Sequence, residues 1–223
     1  MNLSRNVDWL KIFITPGDPP INDAHIDCYL TREEVASVVH EAKACGKKTS
    51  AHCIGGEGLR LCAEEGVDVI DHAYWATESD VDLILKKQMT ICLTPGVFLD
   101  EGREPFCPAL HVQNVQKTRD EVRNRLSMLV EAGVPYAIGS DAYHGFLYKD
   151  VKYICDLGAA TLDAIKGVTS RAAKMLSMEG KIGTIQEGAF ADIIAVNGNP
   201  LDNIDVLSNV FFVMKDGEVI KEA

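Results

Sequence analysis

The sequence predicts an α/β protein built on a parallel sheet, followed by a small antiparallel β module. Across residues 1–180, amphipathic helical stretches alternate with short apolar stretches, which is typical of βαβ units. From about residue 181 the chain becomes β-rich and is punctuated by glycine, and near its end it contains the hairpin dipeptide Asp216-Gly217. We therefore expect two domains, residues 1–180 and 181–223.

Five strands and four long helices account for most of the first domain. The strands are expected in the stretches DWLKIFIT, KKTSAHCI, VDVIDHA, MTICLTP and VPYAIGSD. The helices are expected in TREEVASVVHEAKA, EGLRLCAEE, ESDVDLILKK and TRDEVRNRLSMLVEA. Thr31 and Glu34 form a capping-box signal at the start of the first helix, and a glycine follows three of the four helices. The polar stretch DEGREPFCPALH is expected to be a long loop after the fourth strand.

Composition and charge exclude several classes of protein. The 223 residues carry a formal net charge of −11 with no basic cluster, which disfavours nucleic acid and anionic membranes as partners. No apolar run approaches the roughly 20 residues of a membrane span, and no signal peptide opens the sequence. The seven cysteines show no CxxC spacing, which favours free thiols and a cytoplasmic location.

Three residues of the metal-ligand type fall at or near the ends of predicted strands. They are His52, His72 and Asp141. In a parallel α/β sheet the functional residues gather at the carboxyl ends of the strands, and zinc-type ions bind imidazole and carboxylate groups. A single histidine in such a place is more often a hydrogen-bonded core or rim residue. Three equivalent positions together favour a metal centre.

Lys11 is the fourth candidate, because it shares one face of its strand with Trp9 and Phe13. An unpaired ammonium group there would cost several kcal/mol in desolvation. Carbamylation by carbon dioxide would convert the amine into an anion able to bridge two cations. The alternative is a lysine near the strand edge that extends to water. Its occurrence beside His52, His72 and Asp141 favours the ligand interpretation.

The remaining candidates carry weaker signals. His25, His40 and His111 lie in loops or on helix faces and are interpreted as surface histidines. His144 follows Asp141 by three residues and is expected to reach substrate or water rather than to bind metal. The glycines of GGEG after His52 are interpreted as a tight turn between strand and helix, since their spacing matches neither phosphate-loop pattern.

Several of these stretches together resemble the amidohydrolase superfamily, in its imidazolonepropionase-like branch, which includes Xaa-Pro dipeptidases. VDWLKIFIT resembles the segment that carries a carbamylated lysine, and SAHCIGGEGLRLCAEEGVDVIDHA the segment whose two histidines bind the second metal. AIGSDAYHG matches the aspartate motif of the eighth strand, and KIGTIQEGAFADIIAVNGNPLDNI the return to a β-sandwich. The resemblance implies a partial (β/α)8 TIM barrel, about strands four to eight, with the C-terminal part of the sandwich.

The same resemblance implies hydrolysis of an amide or peptide C–N bond, in a dipeptide or an N-acyl amino acid. Lys11, His52, His72 and Asp141 would bind one or two divalent ions, with zinc expected, and Asp141 would act as general base and then general acid. Tyr74 and His144 are the substrate-binding candidates, with Arg103 and Arg123 as other groups able to bind a carboxylate. An aryl-urea or thiocarbamate is the alternative substrate.

One departure from the family pattern is large, because the sequence contains no HxH motif. In the family this motif lies on the first strand and binds the first metal. We therefore expect strands one to three to come from a second chain, from self-association, or from a longer protein of which this is a piece. The alternatives are a non-catalytic remnant that serves as an assembly or regulatory subunit, and a passive metal-binding module.

Overall fold

A parallel sheet and a smaller antiparallel sheet organise the chain. The computed structural model describes residues 7–21, 25–141 and 146–222. The parallel sheet has the order β1-β2-β3-β4-β5, with strands β1 (Trp9–Phe13), β2 (Lys48–Cys53), β3 (Val69–His72), β4 (Thr90–Leu93) and β5 (Tyr136–Ile138). All five predicted strands are present, and the α/β fold class is confirmed.

Helices separate the strands, as the sequence predicts. They are α1 (Arg32–Ala44), α2 (Gly56–Glu65), α3 (Glu78–Lys87), α4 (Gly96–Leu99), α5 (Ala109–Glu131), α6 (Leu147–Asp156), α7 (Thr161–Gly167) and α8 (Ser170–Met175). The capping box at α1 is confirmed: Thr31 accepts from the Glu34 N–H, and Glu34 accepts from the Thr31 N–H. Gly66 ends α2 in the left-handed conformation, with its N–H donating to the Cys62 carbonyl at 3.0 Å.

The stretch DEGREPFCPALH is more ordered than the sequence suggested. Half of it forms a 3-10 helix, Glu101–Phe106, and its last three residues already belong to α5. Asp100 starts the 3-10 helix by accepting from the Gly102 N–H at 3.1 Å. Arg119 of α5 donates to the Phe98 carbonyl at 2.8 Å and pairs with Glu101 at 3.0 Å. The prediction of a long loop is therefore wrong. The contacts of Arg119, a residue of α5, order this stretch.

The described chain divides into two compact units. The first comprises residues up to 93 together with 98–135. Its core is formed by fully buried aliphatic side chains from strands and helices alike, each contributing roughly 1.5–3 kcal/mol by burial. These include Ile14, Ile54, Leu59, Ile70, Ile84, Ile91, Leu126 and Leu129. Arg125 fixes the connection between β3 and α3, since its guanidinium lies 4.5 Å from the Trp75 ring and donates to the Ala76 carbonyl at 3.1 Å.

The second unit comprises residues 94–97 and those from 136 onwards. Its antiparallel sheet has the order β6-β7-β8, with β6 (Ile193–Val196), β7 (Val210–Lys215) and β8 (Glu218–Lys221). The predicted Asp216-Gly217 turn joins β7 to β8, with φ of +49° and +82° at its two residues. Within this unit, the fully buried Asp150 carboxylate accepts from the Gly96 N–H at 2.7 Å. The domain boundary after residue 180 stays a prediction.

Two observations concern the compartment in which the chain works. Within residues 7–21, 25–141 and 146–222, no helix combines the length and the apolar character that a membrane crossing requires. The seven cysteines are free thiols, and Cys53 and Cys62 among them are buried. A cytoplasmic location stays a prediction.

Candidate metal centre

The carboxyl ends of β2 and β3 bring two histidines together. His52 is the penultimate residue of β2, and His72 is the last residue of β3. Their ring centroids lie 4.7 Å apart, with the ring planes at 61°. Both side chains are buried, at 7% exposed for His52 and 5% for His72. The structure therefore assembles two of the residues that the sequence singled out.

The position of His72 depends on an unusual backbone turn. In the strand register Cys53 pairs with His72 and Asp71 pairs with His52, so regular pleating would place Asp71, not His72, on the His52 face. The chain leaves the strand at His72 and Ala73, whose φ angles are +88° and +56°. Such angles cost about 1–3 kcal/mol at non-glycine residues and concentrate at functional sites. The strand pattern alone does not reveal this turn.

His72 is held in its neutral form by its surroundings. Burial, together with weaker repulsion from His52 and Lys11, lowers the pKa of the His72 imidazole from 6.5 to about 3. At neutral pH the ring is therefore uncharged. A neutral imidazole offers a nitrogen lone pair, which is the form that binds a metal ion.

His52 is oriented by a backbone carbonyl and an aromatic ring. Its Nε2 lies 3.0 Å from the Pro16 carbonyl oxygen. A carbonyl can only accept, so Nε2 carries the proton and, in the neutral ring, Nδ1 carries the lone pair. The ring of Phe13 stacks on His52 with centroids 5.0 Å apart, and this phenylalanine is itself 63% exposed. A carbonyl on the far nitrogen is the usual support of a metal-binding histidine.

Lys11 forms an ion pair that the sequence interpretation missed. Its ammonium group donates to the Asp71 carboxylate, with side-chain exposures of 39% and 16%. Lys11 also lies 5.6 Å from the centroid of the Phe13 ring. An ammonium group has no lone pair and cannot bind a cation. Lys11 fits a metal centre only as a carbamate, which stays a prediction. The register could have identified Asp71, because it pairs directly with His52.

Tyr74 extends the aromatic contacts away from the two histidines. Its ring stacks on His72 at 5.1 Å and meets Phe98 edge-on at 4.6 Å, and Tyr74 is 2% exposed. Its role in substrate binding stays a prediction. His111 follows in the same series, 6.4 Å from Phe98, and its Nδ1 lies 2.7 Å from an Asp18 carboxylate oxygen. The interpretation of His111 as a surface histidine is wrong, because this side chain is partly buried and bonded.

Three other predicted residues, Asp141, His144 and Arg103, lie outside β2 and β3. Asp141 belongs to the second unit, follows β5 by three residues, and is exposed with φ of +42°. His144 lies outside the described residues. Arg103 is 4% exposed and pairs with Asp100 at 3.6 Å, which commits its charge to that carboxylate.

The residues at the ends of β2 and β3 fit part of a metal site. Among the residues that the structure describes, no group of three or more His, Cys, Asp or Glu side chains is arranged to hold a metal. Zinc usually takes three protein ligands at a catalytic site. His52 and His72 supply two imidazoles with ring centroids 4.7 Å apart, so a third ligand must come from a modified Lys11 or from elsewhere.

Comparison with known proteins places these observations in a family. Residues 20–221 match the amidohydrolase family. The chain is 26% identical over 230 residues to ochratoxinase of Aspergillus niger, covering 99% of this chain and 48% of that protein. It is 26% identical over 149 residues to imidazolonepropionase of Rhodococcus jostii strain RHA1, covering 64% of this chain and 32% of that protein.

Solved structures of similar fold include proteins of the same kind. A Xaa-Pro dipeptidase crystallised with bound methionine superposes with a TM-score of 0.87 at 30% identity, covering 97% of this chain and 55% of that one. The chain thus spans about half the length of the ochratoxinase it matches. Because the family model matches residues 20–221, which is most of the chain, the chain belongs to the amidohydrolase family.

Proposed function

We propose that this chain carries part of the metal centre of a hydrolase that cleaves an amide or peptide C–N bond. The observation that supports the proposal most directly is the pair of buried imidazoles, His52 and His72, with centroids 4.7 Å apart. Membership of the amidohydrolase family supports the reaction type.

His52 and His72 would hold one divalent ion, with zinc the expected metal. The bound ion supplies a Lewis acid and lowers the pKa of water from 15.7 towards ~7. His72 contributes a ring that remains neutral to low pH. His52 contributes Nδ1, since its Nε2 donates to Pro16. Both residues are largely buried, at 7% and 5% exposed, which restricts how far the rings can move.

Asp141 would move the proton in the reaction. Its carboxylate is exposed on the turn after β5 and is available to a water molecule or a substrate. We propose that it accepts the proton of the attacking water and then delivers it to the leaving nitrogen. A second ion, bound by histidines from outside this chain, belongs to the same proposal.

Lys11 would join the site after carbamylation. Reaction of its neutral amine with carbon dioxide forms an N–C bond and releases one proton, giving an anionic carbamate. In the present structure the ammonium form is paired with Asp71. The new anion would repel Asp71, so the carboxylate has to turn away or face a cation. The Asp71 carboxylate therefore disfavours carbamylation of Lys11 unless a bound cation offsets the repulsion between the two anions.

We propose a dipeptide or an N-acyl amino acid as the substrate. The likeness to a Xaa-Pro dipeptidase supports this class. Tyr74, next to His72, and His144, after Asp141, are the proposed substrate-binding residues. An aryl-urea or thiocarbamate remains the alternative substrate.

The complete site would need further strands from another polypeptide segment or a second copy of the chain. β1 lies at one edge of the parallel sheet, and Phe13 on this strand is 63% exposed. A covering segment would bury this ring beside His52, and the half-length match to relatives supports such a segment. The competing proposal is a non-catalytic remnant that keeps the fold for assembly or regulation.

Zinc titration of the purified chain tests the proposal. We expect zinc to bind the chain, and the double replacement His52→Ala/His72→Ala to abolish this binding. His40→Ala is the matched control, because His40 is an exposed histidine of α1. Equal zinc affinity in all three proteins would refute the metal centre.

Hydrolysis of an Xaa-Pro dipeptide and of a phenylurea by the assembled protein then separates the two substrate classes. Zinc binding without hydrolysis of either would favour the remnant.

A further inference from the structure

The segment that follows β1 contains the carbonyl that orients His52. We call residues 15–20 the strap. The strap contains prolines at positions 16, 19 and 20, which lack an N–H donor, and it forms neither helix nor strand. Within the strap, the Thr15 hydroxyl donates to the Pro16 carbonyl at 3.2 Å. Where the strap as a whole lies depends on its ties to other elements.

The first end of the strap is tied to β2. The Ile14 N–H donates to the His52 carbonyl at 3.1 Å, which extends the strand pairing by one residue. Thr15 is 1% exposed, and its hydroxyl oxygen accepts from the Ile54 N–H at 3.0 Å. These bonds place the start of the strap beside His52 but leave its other end undetermined.

The second end is tied to the first turns of α5. His111 Nδ1 lies 2.7 Å from an Asp18 carboxylate oxygen, and the Asn114 amide donates to the Pro19 carbonyl at 3.1 Å. His111 and Asn114 are three residues apart, so they share one helix face. The Thr118 hydroxyl donates to the Asn114 backbone carbonyl at 2.9 Å and lies 3.3 Å from its Oδ1. When the Thr118 hydroxyl donates instead to Oδ1, at 3.3 Å, it holds the amide with its nitrogen towards the strap.

We propose that His111 and Asn114 are positioning residues for His52. By anchoring the strap they keep the Pro16 carbonyl 3.0 Å from Nε2, which fixes the proton on Nε2 and the lone pair on Nδ1. The inference rests on the proposed role of His52 as a metal ligand. It extends that role to two side chains on a helix distant in sequence from β2.

The test compares variants of His111 and Asn114 in the full chain. Nitrogen-15 spectra of the metal-free protein at neutral pH report the His52 tautomer, with the resonance assigned by its loss in His52→Asn. Zinc titration reports affinity. In the unsubstituted chain we expect the Nε2–H tautomer. In His111→Ala and Asn114→Ala we expect mixed tautomers and zinc binding weakened by roughly 10- to 100-fold.

Two replacements of His111 distinguish positioning from simple packing. An asparagine nitrogen lies three bonds from Cα, as Nδ1 does, so His111→Asn can still donate to Asp18 and should restore the tautomer. His111→Gln carries its nitrogen one bond further, as Nε2 does, and should not. If His111→Ala fails to fold, this Asn–Gln pair still decides the question. The matched control is Gln113→Ala, at an exposed position on the same helix.

The outcomes separate the two proposals. An unchanged His52 tautomer in His111→Ala would refute the positioning role of His111. Equal rescue of the tautomer by asparagine and by glutamine would refute it as well. A chain that binds no zinc would count against the proposed hydrolase. In that case the tautomer comparison, made without metal, would still decide the role of His111 and Asn114.

Discussion

Replacing Gly55 by alanine tests the close approach of two backbone segments beside the metal centre. Gly55 follows His52 by three residues, with φ of +151° and ψ of −160°. A Cβ atom there would lie 2.7 Å from the Trp75 carbonyl oxygen and 2.9 Å from its carbon. Both are backbone atoms, so no side-chain rotation can relieve the overlap. The segment around Trp75, which follows His72, would have to move.

The expected cost has two parts. This region of backbone conformation is essentially restricted to glycine, and a non-glycine residue costs about 1–3 kcal/mol there. Displacing a packed segment costs about 1–3 kcal/mol more. We therefore expect Gly55→Ala to lower the free energy of unfolding by about 2–6 kcal/mol, against about 5–15 kcal/mol for a typical protein.

Gly133→Ala is the matched control. Gly133 has φ of +71°, but nothing lies within 4 Å of its Cβ position, so only backbone strain of about 1–2 kcal/mol is expected. Urea unfolding followed by circular dichroism measures the free energy of unfolding of both variants, with the slope against urea as a check on two-state behaviour. Zinc affinity should fall in Gly55→Ala and stay unchanged in Gly133→Ala. Equal destabilisation of the two variants would contradict the close contact between Gly55 and Trp75.

Three further predictions follow. Asp141→Asn in the assembled protein should abolish amide hydrolysis and leave the metal content nearly intact; an active variant would refute its role as general base. Phe98→Ala should cost about 3–5 kcal/mol of stability, because this ring is fully buried, whereas Phe106→Ala should cost little because Phe106 is 76% exposed; urea unfolding compares them. Hydrogen bonding to Lys215 lowers the pKa of Asp192 below 3.8, so the stabilising contribution of this pair is lost as the pH falls through the folded-state pKa. In Asp192→Asn the free energy of unfolding should depend less on pH below about pH 4. An unchanged pH dependence in that range would count against a stabilising pair of Asp192 and Lys215.

The fold could be predicted because its signals are local. The capping box of Thr31 and Glu34 marks the start of α1, and the Asp216-Gly217 turn marks the final hairpin. The alternation of helix and strand then determines a parallel arrangement. The stretch containing the 3-10 helix was missed because its order depends on Arg119, far along the chain.

The candidate site was predicted less completely, because its details depend on contacts between strands. The sequence identifies His52 and His72 by type and by their positions at strand ends. It does not reveal that His72 reaches His52 through a left-handed turn, or that Asp71 pairs with Lys11. The bond between His111 and Asp18 joins residues 93 positions apart, and no local pattern indicates it.

The contact between Arg125 and Trp75 gives the site an optical reporter. The chain has two tryptophans, and Trp75 is 9% exposed with a guanidinium 4.5 Å from its ring. A nearby cation alters the emission of an indole, so its fluorescence depends on the distance between α5 and the connection after His72. In a Trp9→Phe background the remaining emission comes from Trp75. Fluorescence would then show, without a label, whether this connection shifts when zinc is added.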